Sequence, residues 1–218
     1  MKQSEKRDQV RREWLGMQPS WYNPWLHLAV PAVVGSGIIA ACVIALEPLA
    51  WWHLATIPAS YVFANMNEWL AHRNLLHKRT RIAAPLYDRH TPRHHMVFVT
   101  DDMAIRELRE FGMVLIPAFG VLVLFAAVTF PAGLLWLVLG RNVALLFVIT
   151  AVFYALSYEW LHLAYHLPAD HPVGRSRIIR ALRHHHAVHH DPGLMARYNF
   201  NVTVPLWDWV RGTIAPRS

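Results

Sequence analysis

The apolar residues of this chain collect into four long runs. Trp25 to Leu46 and Pro48 to Asn67 carry no formal charge, with only Glu47 between them. Phe111 to Gly140 is a third such run, and Asn142 to Tyr158 a fourth that continues into Glu159. An α-helix needs about 20 residues to cross the hydrocarbon core of a bilayer. Each run can reach that length, the fourth by continuing a turn or two beyond the bilayer. The breaks at Glu47 and at Gly140-Arg141-Asn142 leave room only for tight turns. The pattern therefore predicts an all-α integral membrane protein with four transmembrane helices in two hairpins, spanning about residues 25–46, 48–67, 111–139 and 142–161 of a single domain over 25–218.

Charge sets the orientation. Of the 21 Lys and Arg, five precede the first run, eight lie between the second and third, and seven follow the fourth; only Arg141 falls on the other side. By the positive-inside rule, both termini and the central loop are expected in the cytoplasm, at the inner membrane if the cell is bacterial. Residues 1–24 are charged at their start and lack the apolar centre of a signal peptide, so they read as a cytosolic arm. Composition agrees: 55% of the residues are hydrophobic, 16% are charged and ten are Trp, a residue that favours the membrane–water interface. A net charge of +7 could mark a nucleic-acid binder, but such a domain would not carry these runs. The excess is read as contact with anionic lipid.

The unusual chemistry lies in fifteen histidines. The single cysteine, Cys42, sits within an apolar run, which excludes an internal disulfide, a thiolate zinc site and a Cys-ligated cluster. His27 and His53 stand alone beside tryptophans and read as interfacial, and His171 before Pro172 reads as a loop residue. The others cluster: His72 and His77; His90, His94 and His95; His162 and His166; His184, His185, His186, His189 and His190. All four clusters fall on the predicted cytoplasmic side. On a helix His162 and His166 lie about 40° apart and can share an ion, whereas His72 and His77 lie about 140° apart. The latter pair needs either a helix end near Leu76 or two different metals. Adjacent pairs such as His94-His95 and His189-His190 point apart and suit one ligand to each of two ions. Ten imidazoles can supply five donors to each of two metals, leaving a sixth position open; Fe, Zn, Cu and Ni all accept such donors. A transporter would place ligands near the bilayer midplane, and an intramembrane zinc protease would need an HExxH that does not occur.

These clusters resemble the signature of the fatty acid hydroxylase superfamily, also called the sterol desaturase family, of membrane non-haem di-iron enzymes. The matching motifs are His72/His77, His90/His94/His95, His162/His166 and His186/His189/His190, and the segment from Asn199 to Thr213 resembles the family's closing NFG…D…GT stretch. Here Asn201 stands where many members have Gly. Within the triplet His184-His185-His186, His185 would mirror the HxxxHH form of the second motif and His186 gives the commoner HxxHH, which is preferred. The resemblance implies ten metal ligands, His72, His77, His90, His94, His95, His162, His166, His186, His189 and His190, holding two iron ions for which zinc could substitute.

It further implies an O2-dependent hydroxylase of an unactivated lipid C–H bond, with a desaturase or carotenoid-type hydroxylase as the alternative on the same scaffold. A histidine-rich metal-binding or transport protein is the alternative outside enzymes. Carboxylates and amides near the motifs, Glu68, Glu159, Asp191, Asn199 and Asp208, are candidates for orienting ligand imidazoles through their second nitrogen. The chain has no haem-attachment CxxCH, dinucleotide fingerprint or ferredoxin cysteine set. Two electrons would come from a separate donor, ferredoxin-like or cytochrome b5-like with its reductase. The expected partners are thus that donor and a membrane lipid, and not nucleic acid.

Overall fold

A computed structural model describes residues 3–216, and among them the regular structure is helical throughout. Three helices are long and apolar enough to cross a membrane: α2 (Pro24–Ile44), α7 (Ala118–Leu139) and α8 (Arg141–Tyr165). Another helix, α3 (Thr56–Ala71), extends the turn at Trp51–Ala55 and continues through a wider turn at His72–Leu76. At 16 residues α3 alone is short of the expected crossing length, and the predicted span at 48–67 opens with that 3-10 turn.

The third predicted span is also shorter than its apolar run. Residues 111–114 form a separate turn, α6 (Phe111–Val114), and the chain is extended at Leu115 before α7 begins behind Pro117. Proline cannot donate a backbone hydrogen bond and drives the residue before it out of the helical region. The apolar run thus divides at Pro117, and its first part is buried beneath the histidine-bearing segments.

The other end of the bundle closes as the sequence indicates. A single glycine, Gly140, joins α7 to α8 with φ +90, a conformation open to a residue without a Cβ. Beside it Asn142 accepts from the Glu47 amide and donates to the Glu47 carbonyl, and Arg141 pairs with the Glu47 carboxylate. The two hairpin turns are thereby tied together.

Helix α8 is the axis of the bundle, packing on α2, α3 and α7. Its outer neighbours leave large apolar side chains open, including Val33 and Ile44 on α2 and Phe119, Leu137 and Val138 on α7. Such an apolar surface is stable only against lipid or a partner. Where α2 meets α8 the helices approach closely through Gly35, whose added Cβ would lie 2.9 Å from Leu156 Cδ1 and 3.0 Å from Phe125 Cζ. Small residues at such crossings allow the backbone contact that drives helix association in lipid.

The chain before the first span is a helix, α1 (Gln3–Met17), laid against the rest of the protein. Its Trp14 packs with Val97, Phe98, Ile105 and Phe111 in the main hydrophobic core. The shorter helices α4 (Ala84–Arg89), α5 (His95–Val97), α9 (Arg177–His189) and α10 (Leu206–Arg211) complete the cap.

Gly35→Leu is expected to destabilise the detergent-solubilised protein by about 1–3 kcal/mol, the usual cost of overpacking. Gly37→Leu, where an added Cβ meets nothing within 4 Å, should be near neutral. Thermal unfolding in one detergent compares them; equal melting temperatures would remove the close α2–α8 contact.

Candidate metal centre

The cap gathers ten histidines into two groups of five. His72, His77, His90, His95 and His189 form one, and His94, His162, His166, His186 and His190 the other; within each, five donor atoms all lie within 4.8 Å of one another. Nine of the ten are buried and His77 is half-buried.

Local backbone geometry does the sorting. The turn at His72–Leu76 is of the π type, and His77 donates its amide to the His72 carbonyl at 3.2 Å. This i→i+5 bond replaces the regular i→i+4 spacing and brings residues five apart onto one face. The pair His72/His77 therefore shares one group: the helical segment ends at Leu76, as one of the two expected routes required, and it ends through a π turn. A second π turn at His90–His94 does the same for His90 and His95 and sends His94 to the other group. Adjacent ligands diverge as their backbones demand: the His94 and His95 rings stand at 89°, and those of His189 and His190 at 87°. On α8, His162 and the capping His166 are four apart and face the same group. On α9, His186 and His190 do likewise. His185 points elsewhere, to Asp208 Oδ2 at 3.3 Å, and His184 is exposed.

Hydrogen bonds at the far side of the rings fix where the protons are. Nδ1 of His72 donates to the Phe200 carbonyl, His189 to Tyr198 O at 2.9 Å, His190 to Phe98 O at 2.7 Å, His166 to Met103 O at 2.7 Å and His94 to Met113 O at 3.1 Å. A carbonyl can only accept, so each Nδ1 carries the hydrogen. Thr91 spends its one hydroxyl proton on Leu76 O, so it accepts from His77 Nδ1 at 3.2 Å. In neutral rings the inward Nε2 atoms are then bare lone pairs.

These bare nitrogens crowd together. His77 Nε2 and His189 Nε2 are 3.0 Å apart with no proton between them. His72 and His90, His95 and His90, and His190 and His186 bring their Nε2 atoms to 2.9, 3.0 and 3.0 Å. His94 Nε2 and both ring nitrogens of His162 are buried without any partner. Facing lone pairs repel, and buried polar atoms without partners are costly. One cation in each group resolves both problems. Two imidazole nitrogens bound at right angles about 2.1 Å from an ion stand about 3 Å apart, which matches these contacts. The donor set therefore fits two metal ions.

Proton competition is weak in the same sites. Burial, followed by repulsion from His189 and His190, pushes His77 down to about 2, and burial takes His190 down to about 4. His72, His90, His94, His95, His166, His186 and His189 are likewise held well below the usual histidine range, chiefly by burial. Neutral imidazole is the form that binds metal.

The five side chains expected to orient the ligands do not touch them. Glu68 accepts from Tyr154, the Val202 and Thr203 amides and the Thr203 hydroxyl. Glu159 accepts from the Ile116 amide, and Asp191 from the Gly193 amide. Asn199, held at φ 57, bonds the His185 carbonyl and the Ala215 amide. Asp208 accepts from the Phe200 and Asn201 amides, the Thr213 hydroxyl and His185, which is not among the ten. The orienting role belongs instead to backbone carbonyls and to Thr91. Sequence reasoning misses them because every residue owns a carbonyl. Asn201, the departure from the commoner Gly, uses its side chain to accept from the Asp208 amide and donate to Asn65 O. His27 bonds Tyr22 and the Ile116 carbonyl, His53 accepts from the Ala50 amide, and His171 from the Val173 amide.

A fatty acid hydroxylase family profile matches residues 57–213, which include all ten histidines and the closing segment. No match is found among curated proteins or among solved structures.

Purified protein is expected to hold about two transition-metal ions per chain, and His77→Ala and His162→Ala about one each, as measured by elemental analysis. Wild-type protein with a single ion would overturn the two-group reading. For the metal-free protein, histidines that titrate near 6.5 when unfolded but far lower when folded bind protons preferentially in the unfolded chain. Stability is then full above about pH 6.5 and declines as the pH falls from there towards 4. Melting temperatures at pH 7.5 and 5 test this; a higher value at pH 5 would contradict it.

Proposed function

The chain belongs to the fatty acid hydroxylase family, and on that premise we propose that it is a membrane di-iron oxygenase that hydroxylates an unactivated C–H bond of a lipid. The observation that carries this reading is the pair of adjoining five-nitrogen groups; an ion of six-coordinate preference held in either would keep room for one further ligand. Neutral imidazole donors accept iron as readily as other transition metals, and the family premise selects iron among them. Two ferrous ions held there would supply the O2 activation and C–H oxidation that no side chain can perform.

The residues of this chain contribute geometry and exclusion of water. The carbonyls of Phe98, Met103, Met113, Tyr198 and Phe200 lock ring orientation. Locked rings need no reorganisation when charge at the centre changes. His162 and His166 end α8, the central helix, so the centre adjoins the apolar bundle directly. An acyl chain can then reach it laterally from the bilayer, while O2, itself apolar, concentrates in the same medium. Near the centre Arg89 donates to the Gly112 and Leu115 carbonyls, and the Glu159 carboxylate receives the Ile116 amide; both help hold the broken segment 111–117 under the histidines.

In this reading the turn–helix–turn from Trp51 to Leu76 serves as a fourth crossing beside α2, α7 and α8, and the histidine cap lies at the cytoplasmic face, as the one-sided Lys and Arg distribution favours. Electrons come from a separate ferredoxin-like or cytochrome b5-like donor. Hydroxylation and desaturation begin with the same hydrogen abstraction, and the product distinguishes them.

Lipid extracts of cells with and without the gene, grown aerobically and compared by mass spectrometry, test the proposal. A lipid gaining one oxygen, labelled from 18O2 and lost in His94→Ala, is the expected result. Loss of two hydrogens would assign desaturation instead. No lipid difference, together with a centre filled only by redox-inert zinc, would refute the oxygenase reading.

A further inference from the structure

The hydrogen bonds behind the histidines divide by group. His72 and His189, both in the first group, donate to Phe200 O and Tyr198 O, so two of its ligands are oriented by the closing segment and the residue that leads into it. His94, His166 and His190, in the second, donate to Met113 O, Met103 O and Phe98 O, all within the segment from 98 to 113. Neither segment supplies a carbonyl to the other group in these bonds.

Each segment is held by carboxylate contacts of its own. In the closing segment Glu68 takes the Val202 and Thr203 amides, the Thr203 hydroxyl at 2.6 Å and Asn201 Nδ2 at 3.3 Å, with Tyr154 as a further donor. Asp208, fully buried, takes the Phe200 amide at 3.0 Å and the Asn201 amide at 2.7 Å. The segment from 98 to 113 is fixed by Glu110, which is 1% exposed, accepts the Arg106 amide at 3.2 Å and pairs with buried Arg11 of α1 at 2.5 Å. The Arg11 guanidinium also lies 5.4 Å from the centre of the Phe98 ring, the residue whose carbonyl orients His190. Trp14 of α1 covers Gly112 so closely that an added Cβ would fall 2.5 Å from its ring.

We propose that the two metal sites are positioned independently: Glu68 and Asp208 position the site of His72 and His189 through the closing segment, while the Arg11–Glu110 pair positions the site of His94, His166 and His190 from the N-terminal helix. The proposal rests on the two-metal reading above. None of these four residues touches a ligand imidazole through its side chain; they are positioning residues. Loss of such support behind a ligating histidine typically weakens metal binding about 10–100-fold, and here that loss is confined to one ion of the two.

The test measures Fe(II) bound per chain by equilibrium dialysis and elemental analysis, anaerobically, on full-length protein in detergent. Glu68→Gln is made alone and in two backgrounds, His95→Ala, which damages the first site, and His162→Ala, which damages the second. Glu68→Gln alone should lower the affinity for one ion about 10–100-fold and spare the other. It should change little in the His95→Ala background and remove most remaining iron in the His162→Ala background. The double variant Arg11→Met/Glu110→Gln, which removes the pair together and so leaves no lone buried charge, should show the mirror image. Iron retained at the spared site shows that a variant is folded; if Glu68→Gln does not fold, Thr203→Val weakens the same carboxylate more gently and replaces it. Equal loss of both ions in either variant, or further loss from Glu68→Gln in the His95→Ala background, overturns the proposal. A wild-type protein that binds two ions with this pattern but oxidises no lipid would leave the proposal standing and refute the function above.

Discussion

Ten neutral imidazoles converging in a buried space create a repulsion that the protein must counter. Six of them, His72, His77, His94, His166, His189 and His190, turn a lone pair inward, fixed in that tautomer by the group behind the ring. The 3.0 Å contact between two such atoms, those of His77 and His189, is unfavourable unless a cation sits beside them. Holding the rings in this arrangement falls to the surrounding structure. The buried ion pair of Arg11 with Glu110, the five-donor clamp on Glu68 and the amide contacts of Asp208 are the firmest polar anchors outside the histidines, and all brace segments that back the ligands.

The membrane bundle supplies the rest of the resistance. Helix α8 carries two ligands at its end and packs on α2, α3 and α7 along its length, so ligand position is inherited from a long, rigid element. The α2–α8 contact at Gly35 and the ties among Glu47, Arg141 and Asn142 hold the far end of the same bundle. Ligands on α9 and the π turns are then brought to α8 by the segments at 98–113 and 198–213. The division of labour is simple: an apolar frame fixes one side of the centre, and two polar clamps close the other.

Much of this was legible from the amino-acid order. Apolar runs without charge can only be buried or lipid-facing, so three of the four expected spans, found as helices long and apolar enough to cross a membrane, and the turn at Gly140 follow from composition along the chain. The histidine spacings disclosed a large nitrogen donor set, and the closing segment tied it to a family whose profile matches residues 57–213. The division of the third apolar run at Pro117 was also encoded, since proline's missing amide is a local property, but hydropathy alone hid it.

Tertiary structure decided what depends on distance across the fold. That His72 pairs with His77, and His90 with His95, required π turns that a regular helical repeat does not produce. That His186 and not His185 faces the second group follows from how α9 lies against α8. The groups orienting the rings could not be read in advance, because carbonyls carry no residue identity, and the carboxylates singled out by type proved to hold the backbone instead. Sequence determined which atoms were available to bind metal, since that is a property of side-chain chemistry. Only the folded chain determined how they divide between two sites, because that depends on backbone geometry and on partners up to a hundred residues or more away.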